Sequence, residues 1–405
     1  MERSVVGIDI GTQQILVLVG AIGEQGDVRI VGVGRTPAEG IKKGVVVNVA
    51  QATDSISEAV DLAEQSSGYQ IERAYVGVTG VHITSRNSTG VVGVSRRDHG
   101  IGPDDVDRVL EAAGAIILPQ NQELVHILPR TYTVDGQEGV RDPMGMHGFR
   151  LEVEAHVVMG SSTALQNLRK CVQGAGIQIS ELVLSSLASG HSILTDNEKE
   201  MGVVLVDIGE GTTDIAIFIE GAVWHTKSLP IGGEYITNDI AIGLRLPSLA
   251  AEQVKVSHGY AVANQVAEDE RFTVSPYGEG SPVPIARWKL AEIIQARSEE
   301  ILENVQQEIK RSSYDGLLPA GLVLCGGAAQ MPGMRDLARS IFELPVQIGI
   351  PRGISGLIDM VSGPDAAVAV GLVKWTPMLE EGGGWRTVRR SFVGRATGWL
   401  RNLLP

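Results

Sequence analysis

Two stretches of this chain, almost two hundred positions apart, follow one hydrophobic pattern. Val5-Val6-Gly7-Ile8-Asp9-Ile10 is an apolar, β-branched run that pauses at Gly11-Thr12-Gln13-Gln14 and resumes at Ile15-Leu16-Val17-Leu18-Val19. Val203-Val204-Leu205-Val206-Asp207-Ile208 pauses at Gly209-Glu210-Gly211-Thr212-Thr213 and resumes through Asp214 to Phe218. Each predicts a β-hairpin whose tight turn carries Asp, Gly and Thr. A third segment, Gly321 to Cys325, reads as a buried strand followed by a Gly326-Gly327 turn and a helix start at Pro332. Ile231-Gly232-Gly233 is a similar junction, leading into Ile236, Ile240 and Leu244 at helical spacing.

Helix signals fill the intervals. Ser55-x-x-Glu58 has the form of a capping box ahead of Ile56, Val60 and Ala63. Pro103-Asp104-Asp105 opens a helix with Val106, Val109, Leu110 and Ala113 on one face. Ser161-Ser162 precedes Leu165, Leu168 and Val172, with Gly174 as the stop. Trp288 to Ile309 sets Leu290, Ile294, Arg297, Ile301 and Val305 at helical spacing, long enough to bridge two subdomains. Arg297 in that seam reads either as a snorkelling side chain or as a contact for a bound nucleotide. Residues 263–285, rich in Glu, Asp, Ser, Pro and Gly, predict an exposed loop or hairpin.

The last twenty-one residues carry a different pattern. At about 100° per residue, Trp385, Val388, Phe392, Ala396, Trp399 and Leu403 share a stripe roughly 80° wide, which Val393, Leu400 and Leu404 extend. Arg390 and Arg401 lie opposite, Arg386, Arg389 and Arg395 flank, and no acid occurs from Trp385 to Pro405. This composition predicts a helix lying in an anionic membrane surface. Gly394 and Gly398 each cost a lone helix about 1 kcal/mol, so folding is expected on lipid and not in water. A helix packed on its own domain or on a partner is the competing reading. The tryptophans, the arginines and the Glu380-Glu381-Gly382-Gly383-Gly384 linker favour the membrane.

Composition narrows the remainder. The 405 residues suffice for two or more domains with sizeable cores. The formal charge is −14, and setting the tail's five arginines apart leaves −19, which excludes a nucleic-acid binder. Cys171 and Cys325 offer no disulfide framework and fit a reducing cytosol. The start runs straight into a strand without a signal peptide, and the longest apolar runs, such as Ile15–Ile22, are too short to cross a bilayer. The eight histidines do not fall at metal-ligand spacing with cysteines or acids, which argues against structural zinc.

Tight turns of this kind leave successive backbone N–H groups facing one concavity that suits a phosphate. One such hairpin is often an ordinary turn; two, each with an Asp before the same Ile-Gly, point to paired halves with nucleotide phosphates between them. Gly326 and Gly327 would let a flat base or ribose approach the backbone. The helix end after Gly232-Gly233 could face an anion.

These motifs, in this order, resemble the actin-like ATPase superfamily of actin, heat-shock chaperones and sugar kinases. Within it the chain resembles the FtsA family of bacterial cell-division proteins. The specific text is Val125-His126-Ile127-Leu128-Pro129-Arg130-Thr131-Tyr132-Thr133-Val134-Asp135-Gly136-Gln137, then Pro143-Met144-Gly145-Met146 and Leu151-Glu152-Val153-Glu154. The resemblance implies an α/β, actin-like two-lobed fold with duplicated halves, an inserted α+β subdomain and a C-terminal amphipathic helix. Residues 1–81 and 161–195 would form one large subdomain, 82–160 the insertion, 196–230 and 300–379 the other large subdomain. A small subdomain at 231–299 would receive the C-terminal peptide of FtsZ, with a linker at 380–384 and the membrane helix at 385–405. The insertion would contact the next protomer of a head-to-tail filament and later division proteins.

Carried over residue by residue, Asp9, Gly11, Thr12 and Gln13 match the first phosphate hairpin, and Asp207, Gly209, Gly211, Thr212 and Thr213 the second. Gly232, Gly233, Gly326 and Gly327 match the surroundings of ribose and adenine. Asp9 and Asp207 would hold Mg²⁺ through its water shell, with ATP as the nucleotide. Two departures stand out. Glu210 occupies a position where relatives usually have Gly, and would either engage the metal or weaken ATP binding. Ser185-Ser186 lies where the superfamily often has a Glu or Gln that orients water, so hydrolysis is expected to be slow or undetectable.

The reading is therefore an ATP-binding protein that polymerises on the cytoplasmic face of the cell membrane and tethers FtsZ at the division site. Trp385, Val388, Arg389, Arg390, Phe392, Arg395, Trp399, Leu400, Arg401, Leu403 and Leu404 would make the membrane contact. The alternatives are a type IV pilus adaptor of the PilM kind or a small-molecule kinase. Neither explains the cationic tail, and no substrate-binding loop stands out for the kinase.

Overall fold

The structure, a computed structural model, describes residues 3–23, 26–95, 100–115, 118–278 and 281–380, with side chains as far as 375 at the C-terminal end. The linker from 381 and the expected membrane helix lie outside the described residues.

Two large sheets share one plan. In the first, Arg3–Ile10 pairs antiparallel with Gln14–Ile22, which pairs antiparallel with Val28–Pro37. On its other side Arg3–Ile10 runs parallel to Arg73–Val78, and that strand runs parallel to Gln178–Leu184. The second sheet repeats this with Val203–Ile208, Thr213–Ile219 and Ala222–Leu229 antiparallel, then Leu322–Cys325 and Val346–Ile348 parallel. The strands are buried on both faces, from Ile15 to Val19 in one half and Val203 to Val206 in the other, which is why their sequence is continuously apolar and not alternating.

A four-stranded sheet in the order Ile83–Gly93, Arg150–Ser161, Gln122–Val134, Gln137–Val140 has its own core. Helix Pro103–Gly114 covers it with Val106, Val109, Leu110 and Ala113. At Gly90 a Cβ would fall 2.1 Å from the Val109 carbonyl, so the helix rests on bare backbone there. This sheet meets strand Ala222–Leu229 of the second half. Ser85 Oγ donates to the Thr226 carbonyl (2.9 Å), and the Arg130 guanidinium stacks 3.9 Å from the Trp224 ring centroid. Buried His156 lies between Asn87 Oδ1 (2.8 Å) and Thr226 Oγ1 (2.9 Å). Burial holds its pKa down at about 3, so the ring is neutral. Since Asn87 Oδ1 can only accept, Nδ1 donates to it and Nε2 accepts from the Thr226 hydroxyl.

Three expectations need correction. The helix expected after Ser55 runs from Val49 to Ser67, capped by Asn48, whose Oδ1 accepts from the Ala50 and Gln51 N–H groups at 3.1 and 3.3 Å. Ser55 is buried within its inner face, where its Oγ accepts the Glu39 N–H at 3.2 Å. The apolar face starts at Ala52, a turn earlier than the larger side chains suggest. The helix expected at Pro332 begins at Met334, because Gly333 takes a left-handed φ of 83°. Residues 354–379, assigned to the second large subdomain, lie with the first sheet instead. Ile354–Gly356 pairs parallel with Val28–Pro37. Helix Ala367–Glu380 lays Ala369, Val370 and Val373 on a core with Val5, Leu16 and Leu18. A repeat in the sequence says that two halves exist, not which of them the chain rejoins at its end.

That helix also packs closely on Ser185–Ile193. A Cβ on Gly371 would sit 1.8 Å from the Ala188 carbonyl oxygen. Gly371→Val is expected to lower stability by about 1–3 kcal/mol through overpacking, seen as a fall in thermal midpoint. Gly316→Ala, at a position with nothing within 4 Å of the added atom, should stay within about 0.5 kcal/mol of wild type.

Candidate nucleotide site

The two predicted hairpins face one another with matching turns. Gly11 N–H donates to the Gln14 carbonyl at 3.0 Å and Gly209 N–H to the Thr212 carbonyl at 2.9 Å. Each turn therefore closes over the same three-residue span, just after Asp9-Ile10 and Asp207-Ile208. The turns nearly touch. A Cβ on Gly211 would lie 2.7 Å from Thr12 Oγ1 and 2.9 Å from the Lys43 Cα. Thr12 Oγ1 accepts the Gly44 N–H at 3.3 Å.

Behind the turns lies a group of carboxylates. Asp207 pairs in register with Asp214 across the second hairpin, and both are buried. Asp9 keeps partial exposure to the cleft while sitting deep between the halves. Burial lifts the Asp207 carboxyl to about 8, with Asp214 and then Asp9 adding repulsion. Burial lifts Asp9 to about 7, with Asp214 and Asp365 adding to it against Arg35. Asp214 is raised by burial too, although Thr79 Oγ1 (2.6 Å) and Thr212 Oγ1 (3.1 Å) donate to its Oδ2. Thr79 belongs to the first half, so this bond crosses the cleft.

The glycine turns enclose the same space. Gly326 has φ 84°, and a Cβ there would fall 2.4 Å from Asp207 Oδ1, so only glycine fits beside that carboxylate. Gly327 faces open space, with nothing within 4 Å of an added Cβ. At Gly232 a Cβ would meet the Gly209 and Glu210 carbonyl oxygens at 2.6 Å. The helix that follows, Gly233–Leu244, does not present free donors as expected. Gly233 N–H donates to the Gly209 carbonyl and Glu234 N–H to the Glu210 carbonyl, both at 2.9 Å. That helix end positions the second hairpin.

Several participants were not singled out from the sequence. Lys255, buried on helix Ser248–His258, contacts Glu252 (2.6 Å), Thr237 Oγ1 (2.8 Å), the Gly233 carbonyl (3.3 Å) and Glu210 (3.6 Å). Gln13 Nε2 reaches Glu252 Oε1 at 3.3 Å, and Lys43 Nζ donates to the Tyr235 hydroxyl at 2.7 Å, both across the cleft. The spacing Glu252-x-x-Lys255 on one helix was the available signal for this group. Arg297 is engaged by Asp239, with Nε–Oδ2 2.6 Å and Nη2–Oδ1 3.1 Å, and its Cζ lies 5.6 Å from the Tyr235 ring centroid. Ser185 and Ser186 are buried at the start of their helix, and Ser185 Oγ has no hydrogen-bond partner among the described residues.

Among the described residues no cluster of three His, Cys, Asp or Glu side chains is arranged to grip a metal directly. Two carboxyls that burial keeps from ionising, recessed behind backbone turns, fit a hydrated Mg²⁺ held through water. No described helix is long and apolar enough to cross a membrane.

A family model described as cell division protein FtsA matches residues 204–371, and one described as the SHS2 domain inserted in FtsA matches residues 80–159. The chain is similar to the cell division protein FtsA of Pseudomonas aeruginosa, 45% identical over 92% of this chain and 89% of that one. It is 36% identical to the FtsA of Neisseria meningitidis over 99% of both chains. It is 40% identical to that of Bacillus subtilis over 91% of this chain and 82% of that one. Among solved structures, a PilM–PilN type IV pilus biogenesis complex superposes with TM-score 0.66 at 16% identity, over 92% of this chain and 98% of that one. MreB5 of Spiroplasma citri bound to ADP superposes with TM-score 0.56 at 14% identity, over 94% and 99%. These last two likenesses carry the actin-like fold and nothing more.

The raised carboxyls set a pH dependence. With no added nucleotide or divalent metal, the folded chain holds protons on Asp9 and Asp207 that the unfolded chain gives up near its ordinary value of 3.8. Stability from this source is full below that value and falls as pH rises through about 7 and 8. Asp207→Asn should flatten that fall, measured as urea midpoints across the range; an unchanged slope would contradict the assignment.

Proposed function

The chain belongs to the FtsA family of bacterial cell-division proteins, and from that premise we propose that it binds Mg-ATP between its two hairpins, assembles head to tail, and tethers FtsZ to the cytoplasmic face of the membrane. The observation that supports the nucleotide step most directly is the pair of matched turns, each with a recessed aspartate, closing on one space. Backbone N–H groups of Gly11, Thr12 and Gln13 on one side and of Gly209, Gly211, Thr212 and Thr213 on the other would hold the phosphates. Bound Mg²⁺ supplies charge neutralisation for a polyphosphate and for the buried aspartates together. Gly232, Gly233, Gly326 and Gly327 leave room beside the backbone for base and sugar, with Arg297 in the small subdomain above them. Turnover would be slow, since Ser185 and Ser186 hold no carboxylate or amide that could orient water.

Closure is how nucleotide would govern assembly. Thr79–Asp214, Gln13–Glu252 and Lys43–Tyr235 already span the cleft, so a ligand that bridges the turns fixes the angle between halves and with it a repeated heterologous contact. The small subdomain, residues 231–299, would take the FtsZ C-terminal peptide, and the insertion, residues 82–160, would face the next protomer and later division proteins. Residues 385–405 would moor each subunit weakly, and a filament would multiply many weak moorings by avidity. The full-length match to FtsA relatives favours this reading over a pilus adaptor or a kinase.

Asp207→Ala should weaken Mg-ATP binding at least about tenfold by titration calorimetry; equal affinity would show the second hairpin to be misassigned. Trp399→Glu combined with Phe392→Glu should release the protein from anionic vesicles in co-sedimentation while nucleotide affinity stays as in wild type. Retention on vesicles would remove the membrane anchor from the proposal.

A further inference from the structure

Glu210 stands at the centre of the site with its backbone fixed and its side chain free to move. Its carbonyl accepts the Glu234 N–H at 2.9 Å, which pins the turn to the helix. Its carboxylate reaches the point where three turns meet. Around the position of a Cβ on Gly233, Glu210 Oε2 lies at 2.9 Å, Lys255 Nζ at 3.5 Å and the Cβ of Ala328, the residue after Gly326-Gly327, at 3.6 Å. The carboxylate therefore occupies space enclosed by the second hairpin, the Gly232-Gly233 turn and the Gly326-Gly327 turn.

Its hold there is weak. Lys255 is 3.6 Å from Glu210 but 2.6 Å from Glu252 and 2.8 Å from Thr237 Oγ1. Lys255 keeps two close partners if Glu210 leaves, whereas Glu210 has no closer cation among the described ion pairs. Two carboxylates around one ammonium also leave the group negative on balance, in a recess where a polyanion would have to enter.

We propose that Glu210 is an internal competitor for the nucleotide: its carboxylate sits on Lys255 in the free chain, must be displaced by an incoming polyphosphate, and so sets affinity according to the charge of the ligand. This deepens the nucleotide reading above and rests on it. Displacement costs a neutral ligand little and a triphosphate most, since repulsion between like charges in a recessed site grows with their number. Glu210 is thereby a specificity-determining residue that favours low-charge or metal-neutralised nucleotides.

The test is equilibrium binding of adenosine, ADP and ATP to the full chain, each with EDTA and with Mg²⁺, for wild type, Glu210→Gln and Glu210→Gly. Both variants should bind ATP about tenfold tighter in EDTA, ADP with a smaller gain, and adenosine with an unchanged constant. Raising the ionic strength should shrink the gain. Equal or weaker ATP binding by both variants in EDTA would overturn the proposal. A loss confined to Mg²⁺ would overturn it too, making Glu210 a partner of the metal. A uniform gain for all three ligands would mean that only space, and not charge, had been relieved. If the glutamine variant melts early, the glycine variant decides, since it restores the residue usual in relatives. Failure of wild type and both variants to bind any nucleotide would instead remove the underlying reading, a result distinct from binding that ignores residue 210.

Discussion

Asp9 and Asp207 end the leading strands of two hairpins, and burial holds both carboxyls above their ordinary range. Taking a carboxylate from water without a partner is among the costliest things a fold can do. Asp214 makes it worse by repulsion, and its hydrogen bonds from Thr79 and Thr212 relieve it only in part. The turns, the glycines beside them and the bonds across the cleft all serve to keep this unfavourable group in register. A cleft under such electrostatic load is predisposed to take up a cation together with whatever anion accompanies it.

Much of the scaffold was readable because its strands are buried on both sides. Continuous β-branched runs around Asp-Ile-Gly gave the two hairpins directly, and the helix from Arg287 to Ser312 followed from its periodic Leu290, Ile294, Ile301 and Val305. Contacts that join distant segments left weaker marks. Thr79 and Asp214 meet across 135 positions, and Gln13 and Glu252 across 239. Lys255 looks like any surface lysine of an amphipathic helix until the Gly233 carbonyl and Glu210 are brought beside it. Ser55 shows the opposite failure: a local pattern with the right spacing was overridden because small Ala52 already belongs to the buried face.

Glu210 illustrates how a departure from a family pattern becomes interpretable only with its surroundings. As a lone acid in a phosphate turn it admits opposite roles. Beside Lys255, which also serves Glu252 and Thr237, it becomes one member of a shared arrangement whose members can exchange. Arg297 shows the reverse. Its place in an apolar seam suggested a ligand contact, whereas a bidentate bond to Asp239 gives it a sufficient structural role as it stands.

Strand Ala222–Leu229 is edge to the second large sheet and floor to the inserted one. It pairs with the strand bearing Asp214, as in Asp214 opposite Ser228, and meets the insertion through Trp224 and Thr226. The insertion is consequently no detachable cassette. Excising it would strip the cover from an indole and a hydroxyl and leave a raw sheet margin, inviting aggregation. Grafting it onto another scaffold would demand a matching strand as well as matching connection points. Evolutionary traffic in this unit is thus restricted to hosts that offer such a landing strip.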